Sequence, residues 1–356
     1  PATLQHPLKV VRARVVAHVH FHNRRDQDEI NWAFRGRRAP FQQIAGLHVV
    51  LNKIKAQQPN VLPPRLLQIG ADNVHLLFEL YDIFISKPEP LVPRNLRAEV
   101  PERTGPNGEI LMPIDLDALR QQVDGLVAQG VESLAIVFLH CYANPAHEDA
   151  AIEAISNDHP DLFISASHDV SPEIREYERS STTSANAYVK PLAQRYLDNL
   201  VTEAGNLGVK APFFMMLSNG GLTHIEEAKS RPVLLLESGP AAGALVAAHF
   251  GAAAGEKNIL AFDMGGTTAK LAMVEDGRPR VAYSFEAARE KRFVVGSGLP
   301  MNISTIELIE IGAGGGSIAH VDAMGLLKVG PRSAGSDPGP VCSGRGGSEP
   351  TVTDAD

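Results

Sequence analysis

The segment ILAFDMGGTTAKLAMV (259–274) sets one carboxylate, two glycines and two hydroxyls in a row after a run of apolar residues. An apolar strand there delivers Asp263 to a hairpin tip built from Gly265, Gly266, Thr267 and Thr268. Glycines let backbone N–H groups approach an anion without interference from a Cβ, and threonine hydroxyls donate further hydrogen bonds to phosphate oxygens. Asp263 can hold Mg²⁺ through water, because Mg²⁺ keeps several waters and takes few protein ligands. Lys270 is near in sequence, but strand alternation leaves its direction open. A plain hairpin with a Gly-Gly turn would also account for the tip. Apolar strand, acid, Gly-Gly and Thr-Thr together favour phosphate binding. No GxxxxGK[ST] occurs, so this is not a Walker loop.

Two more glycine-bearing turns qualify as anion contacts. In Glu237-Ser-Gly-Pro-Ala-Ala-Gly243 a strand is expected to end and a helix to begin near Gly239, so its free N–H groups would favour an anion. Close packing by small residues explains the same segment. Gly312-Ala-Gly-Gly-Gly-Ser317 places Gly312, Gly314, Gly315 and Gly316 after another strand, and its spacing departs from the GxGxxG of dinucleotide folds. Asp337, before Pro338, could be a second acid at a ligand, though a turn former is the reading taken. His18, His20 and His22 alternate in VAHVHFH and could share a strand face as zinc ligands do. No further ligand joins them, and ordinary strand histidines are the reading taken. His168, Asp169, Glu173 and Glu176 surround a strand-to-helix junction, where acids favour the helix N-terminus. Cys141 reads as a small core residue. No GxSxG elbow is present.

These residues need a scaffold, and the periodicity supplies one. Leu116, Leu119, Val123, Leu126 and Val127 share a helical face that Gly130 ends. Residues 131–139 read as a buried strand, 144–158 as a helix with Asn144 as cap and Pro145 in its first turn, and 161–167 as the next strand. Residues 171–208 are largely helical, with Pro191 expected to bend or divide the helix. A strand at PFFMML, a turn at 218–221 and a short helix over 224–230 come next. An Ala/Gly-rich helix that must pack closely then precedes the hairpin of 258–263 and 269–277. IELIEIG (306–312) reads as one strand, and the Gly- and Pro-dense tail from 330 as an ordered loop. Strands alternating with helices predict an α/β fold.

Length and composition fit a chain of two domains with a sizeable core. No apolar stretch approaches the roughly 18–20 residues of a membrane span, nothing at the start reads as a signal peptide, and two distant cysteines suit a reducing cytoplasm. The net charge of −8 gives no reason to expect nucleic acid or an acidic membrane as partner. Residues 1–65 depart from that average, with 11 Lys/Arg against 3 Asp/Glu, five histidines and the single Trp32. The segment is read as a unit with a different history. The chain stops at TVTDAD without a helix terminus or polar tail, the pattern expected of a cut.

Several stretches together resemble the hydantoinase A/5-oxoprolinase family, in its order and spacing. They are 80–103, FLHCYANPAHE (138–148), SPEIREYERSSTTSANAYVKPL (171–192), SNGG (218–221), ESGPAAGA (237–244), FDMGGTTAK (262–270), EIGAGGGSIA (310–319) and 329–355. The resemblance covers about 66–356 and implies an actin/sugar-kinase-like ATPase architecture, two α/β domains around a nucleotide cleft with the second truncated. It leaves the atypical basic segment 1–65 unmatched, and implies a partial N-terminal-type domain over 66–245 and the truncated start of an ATPase domain over 246–356. Asp263, Gly265, Gly266, Thr267 and Thr268 inherit the second phosphate loop; Gly239, Gly312, Gly314, Gly315 and Gly316 become parts of the cleft wall. No catalytic base can be matched. ATP and Mg²⁺ are the implied cofactors, a small cyclic amide the implied substrate, and a hydantoinase B-type subunit the implied partner. Two departures stand out: residues 1–65 contain neither the DxGGTFTD loop nor the HGTT stretch with which the family begins, and the family continues well past TVTDA. A smaller one is Ser343, where a tyrosine usually follows the cysteine.

The leading expectation is an ATP-dependent hydrolase subunit that opens a hydantoin, N-methylhydantoin or 5-oxoproline by phosphorylating the ring carbonyl. The alternatives are a ketone carboxylase subunit and a non-catalytic fragment that binds a partner subunit. A nucleic-acid-binding basic arm is weaker, since only Trp32 and Phe34 interleave its charges.

Overall fold

A computed structural model of the chain describes residues 91–287, 289 and 296–356. The basic segment, with His18, His20, His22 and Trp32, lies outside the described residues, as do residues 80–90 of the 80–103 stretch.

The first described sheet is a short antiparallel pair, β1 (Arg103–Thr104) and β2 (Ile110–Met112). Asp115 then starts α1 (Leu116–Val127) by accepting from Ala118 N at 2.9 Å, which satisfies one of the unpaired amides of a helix start. Leu119, Val123 and Leu126 fall on one side of α1 and are buried, as their spacing predicts. Gly130, at φ 85°, turns the chain out of the helix in a conformation that costs other residues strain.

The apolar run that follows forms β3 (Ser133–Ile136), buried at every position. It pairs in parallel with β4 (Phe163–Ala166), and α2 (Ala146–Asp158) makes the crossover between them. Asn144 accepts from Ala146 N and donates to Gly108 O, so it pins the start of α2 to the β1–β2 loop. Leu134 and Ile136 join α1 and α2 in one core with Val123, Phe138 and Ile155.

After a single turn, α3 (Ser167–Val170), the chain enters α4 (Glu176–Asn206), which lies against β3 and β4. Pro191 was expected to bend or divide the helix, and it does not divide α4. Proline removes the N–H that would bond the carbonyl four residues earlier. That carbonyl, Ala187 O, accepts instead from the Ser133 hydroxyl at 2.7 Å.

Next come a hairpin, β5 (Phe214–Met216) with β6 (Leu222–His224), and the short helix α5 (Ile225–Ser230). LLLES was expected to finish a strand. It is instead a 3₁₀ turn over Pro232–Leu235, with Glu237 in the left-handed region at φ 63°. A short apolar run is ambiguous by periodicity alone. Here Pro232 sits at the first position of the turn, and Val233 N donates to Asn186 on α4.

The Ala-rich helix α6 (Ser238–Ala253) lies on an antiparallel sheet ordered β9–β8–β7, with β7 Ile259–Met264, β8 Ala269–Glu275 and β9 Leu308–Ile311. Ala241, Ala244 and Ala247 meet Ala261, Ala272 and Ile306, and a Cβ on Gly251 would collide with Ile259. Only small residues allow so close an approach. The opposite sheet face leaves Phe262, Met264 and Ile309 exposed. IELIEIG is not one strand: Thr305–Ile306 pairs with Val281–Ala282, and β9 begins after Glu307 N turns to Arg280 O. A further hairpin, β10 (Ser317–Val321) and β11 (Leu327–Ser333), precedes an ordered tail with short turns at Val341–Ser343 and Val352–Asp354. Among the described residues no helix is long and apolar enough to cross a membrane.

The residues around His168 hold the parallel unit together. Glu148, fully buried, accepts from Phe138 N, the Ser167 hydroxyl and His168 N at 2.7–2.8 Å, and pairs with His168 Nδ1 at 2.8 Å. This hydrogen bond to Glu148 raises the His168 pKa above its ordinary value, against the opposing effect of burial. Stability drawn from a raised histidine is fully present below the unfolded pKa and is lost as pH rises through the folded one. Urea midpoints measured from pH 5.5 to 8.5 should therefore fall with rising pH, and His168→Gln should flatten that slope.

Candidate functional site: two glycine turns at the end of the antiparallel sheet

Strand alternation puts Ile259, Ala261 and Asp263 on the side of β7 that faces α6. The first two are buried beneath the helix, while Asp263 reaches the strand end with its side chain exposed. The register pairs Asp263 with Lys270 and Lys270 with Glu310, so the three form one cross-strand row. Lys270, whose direction was open, bonds Glu237 at the start of α6 and Glu310 Oε1 at 3.0 Å. Burial works against its charge, but the two carboxylates outweigh that and hold the ammonium pKa above its ordinary value. The strained Glu237 is thereby tied to the strand that carries the turn.

The turn itself closes through Gly265 N to Thr268 O at 2.9 Å. Against it lies the second glycine turn: Gly315 N donates to Gly265 O at 2.9 Å and Gly316 N to Gly266 O at 2.7 Å. At Gly314 a Cβ would stand 2.5 Å from Gly265 O and Thr267 N, and 2.6 Å from Thr268 N. Real Cβ atoms do not come so close to backbone, so this position accepts glycine alone. At Gly316 a Cβ would meet Gly266 O at 2.9 Å. The other side of the hairpin tip is open. Nothing lies within 4 Å of a Cβ built on Gly266, and Gly265 would meet only Thr268 O at 3.7 Å.

Seven of the residues singled out in the sequence, Gly265, Gly266, Thr267, Thr268, Gly314, Gly315 and Gly316, thus stand in one contact, with Asp263 at its strand end. Two others stand apart. Gly239 is exposed in the first turn of α6, two residues from Glu237, which bonds Lys270 of the hairpin. Gly312 lines an open depression of about 410 Å³ with His320, Lys328 and Pro331. Asp337 is exposed before Pro338. Sequence reasoning missed Glu310 and the segment 350–354, although Thr351-Val-Thr-Asp354 carries the spacing of a capping box.

The remaining candidates are structural. The Cys141 thiol bonds Ser167 at 2.9 Å, and burial, with nearby Glu148, pushes its pKa up to about 12, so it stays protonated. Glu176 lies in the first turn of α4, and Glu173 accepts from Asn302 at 3.1 Å. Among the described residues no group of three or more His, Cys, Asp or Glu could hold a metal ion. A single exposed carboxylate beside a glycine tip does fit a hydrated Mg²⁺ carried on a phosphate.

These features define a mixed α/β chain in which two glycine turns meet at the end of an antiparallel sheet. The Hydantoinase/oxoprolinase profile matches residues 179–356, and the Hydantoinase/oxoprolinase N-terminal region matches 59–159. The chain belongs to the hydantoinase/oxoprolinase family, which includes ATP-dependent cyclic amidases and ketone carboxylases. It is 44% identical over 280 residues to an uncharacterised protein of Methanocaldococcus jannaschii, covering 78% of this chain and 41% of that one. It is 40% identical over 279 residues to the caprolactamase subunit alpha of Pseudomonas jessenii, covering 77% and 38%. The nucleotide-free structure of acetone carboxylase superposes with a TM-score of 0.63 at 27% identity, covering 82% of this chain and 40% of that one. The chain spans about two fifths of the length of these two curated relatives.

Gly314→Ala should destabilise the chain by about 1–3 kcal/mol, because backbone on both sides must move. It should also speed amide exchange at Gly315 and Gly316. Gly239→Ala, in open space on a helix, should be neutral or mildly stabilising. Denaturant unfolding of the pair checks this, and equal losses would contradict it.

Proposed function

We propose that residues 259–317 form one phosphate-binding jaw of a MgATP site, and that the assembly containing this chain opens a small cyclic amide. What carries the reading is the seating of Gly314 against the Thr267 and Thr268 amide nitrogens, at the end of the strand bearing Asp263. In this reading Gly266, Thr267 and Thr268 receive phosphate oxygens, Gly265 closes the turn through Thr268, Gly314, Gly315 and Gly316 fix the shape of the cradle, and Asp263 holds Mg²⁺ through water. Gly239 and Gly312 belong to the outer wall. The names of the relatives support an ATP-dependent reaction at an amide or ketone carbonyl, since they include caprolactamase, 5-oxoprolinase and ATP-dependent acetone carboxylation.

The chemistry explains why nucleotide is needed. A ring amide carbonyl is a poor electrophile because nitrogen donates into it. ATP, when bound with Mg²⁺, would supply a phosphoryl group to the carbonyl oxygen; water adding at the carbon would expel the ring nitrogen as an amine, and hydrolysis of the resulting acyl phosphate would release inorganic phosphate. The chain's own residues hold the phosphates in line and spread their charge over fixed N–H dipoles. Residues 66–245 and 246–356 are assigned to two domains on either side of the cleft, and 1–65 to an appended basic segment. A hydantoinase B-type subunit is assigned as partner, because the relatives include named subunits of caprolactamase and acetone carboxylase. Both cysteines are free, which suits a reducing cytoplasm. The likeness to acetone carboxylase favours a second reading, in which the same phosphate site activates a ketone for carboxylation.

Phosphate release from ATP, measured with a hydantoin, 5-oxoproline, caprolactam or acetone and with a partner subunit added, separates these. Cyclic amides should stimulate release, and Asp263→Ala should reduce it by about 10²-fold. Stimulation by acetone alone would select the carboxylase reading. Full activity in Asp263→Ala would remove that residue from the site.

A further inference from the structure

The second glycine turn is held from behind by a segment that no motif assigned to phosphate. Thr353 N donates to Gly315 O at 2.9 Å, and its hydroxyl lies 2.6 Å from where a Gly315 Cβ would stand. Gly315 is thus bonded to Gly265 on one side and to Thr353 on the other. Flanking bonds set the register of this outer segment: Thr351 bridges Ile318, and Ala319 N donates to Pro350 O at 2.8 Å.

One carboxylate organises the segment. Asp354 Oδ2 accepts from Thr351 N at 2.8 Å and from the Thr351 hydroxyl at 2.9 Å, closing a capping box around Val352–Asp354. The same side chain reaches the turn at Val341–Ser343, where Oδ1 accepts from Cys342 N at 2.7 Å and Oδ2 from Val341 N at 3.3 Å. With four donors on it, the Cys342 amide foremost, the carboxyl titrates far below the usual carboxylate range. A turn of consecutive glycines gives up more backbone entropy on ordering than any other. A cradle ordered before its ligand arrives does not charge that loss to binding.

We infer that Asp354 is a positioning residue of the phosphate site, acting through Thr353 to hold the Gly312–Ser317 turn in its binding shape. The inference rests on the phosphate reading of the Asp263–Thr268 turn. It makes Pro350–Asp354 the third layer of the site, behind Gly314–Gly316.

MgATP binding to the full chain by calorimetry, together with amide exchange, tests this on five proteins: the unsubstituted chain, Asp263→Ala, Asp354→Ala, Asp354→Asn and Glu349→Ala. Asp354→Asn keeps the shape but turns a donor toward the amides, so it should fail as Asp354→Ala does. Glu349 pairs with Arg332 at the surface and serves as control. Both Asp354 variants should bind MgATP at least about tenfold more weakly. Exchange should quicken at Gly315 and Gly316 while the amides of β3 and α4 keep their protection, and Glu349→Ala should match the unsubstituted chain. Unchanged affinity in the Asp354 variants overturns the inference and leaves the phosphate reading standing. Loss of protection in β3 and α4 in both variants overturns it in favour of a general structural role. Failure of the unsubstituted chain to bind MgATP overturns the phosphate reading and the inference with it.

Discussion

Two backbone hydrogen bonds, from Gly315 N to Gly265 O and from Gly316 N to Gly266 O, join two turns that come from different strands of one sheet. They exist because Gly314 has no Cβ: its side-chain position falls 2.5 Å from the neighbouring backbone. Backbone meeting backbone at this range makes a cradle of fixed dipoles, which side chains on flexible stems would define less well. Much of the second half of the chain serves the contact. The Ala-on-Ala interface of α6 sets the sheet, the hairpin register delivers Asp263 to its end, and the ordered tail closes the far side.

Charge links this contact to its surroundings. Lys270 stands between Glu237 and Glu310, which ties the strained start of α6 to the middle strand. The parallel unit is built around its own buried charges. Glu148 is satisfied by amides, a hydroxyl and His168, while fully buried Arg179 donates to Glu173 O and Phe138 O with its guanidinium over the Tyr142 ring. Removing one partner from such an arrangement is costly, since it strands a charge away from water. These groups maintain the scaffold, and the chemistry assigned to the chain belongs to the glycine turns.

The elements legible in the sequence were those whose pattern is local. The apolar stripe of α1, the alternation of β7 and β8 and the Ala-rich α6 all stand where their residues predict. The misses came from distant partners. Pro191 was expected to bend or divide α4, but the helix runs on through it, and Ser133, 54 residues from Ala187 in sequence, supplies the bond that the Ala187 carbonyl would lack. LLLES has a strand's composition, yet Pro232 and a bond to Asn186 wind it into a 3₁₀ turn. Of the site, the glycine turns could be named from composition, while their mutual contact could not. Lys270 alternates like any strand residue, and only the fold shows that Glu237 and Glu310 claim it. The box at Thr351–Asp354 was readable as a helix start, but its position behind Gly315 was not.

The central claim is that the two glycine turns act as one phosphate-binding surface. Amide exchange on the full chain, with and without MgATP, tests it residue by residue. The account predicts that nucleotide slows exchange at Gly265–Thr268 and Gly312–Ser317 together, over the same concentration range. Protection confined to one turn, or found in neither while nucleotide binds elsewhere, would contradict it.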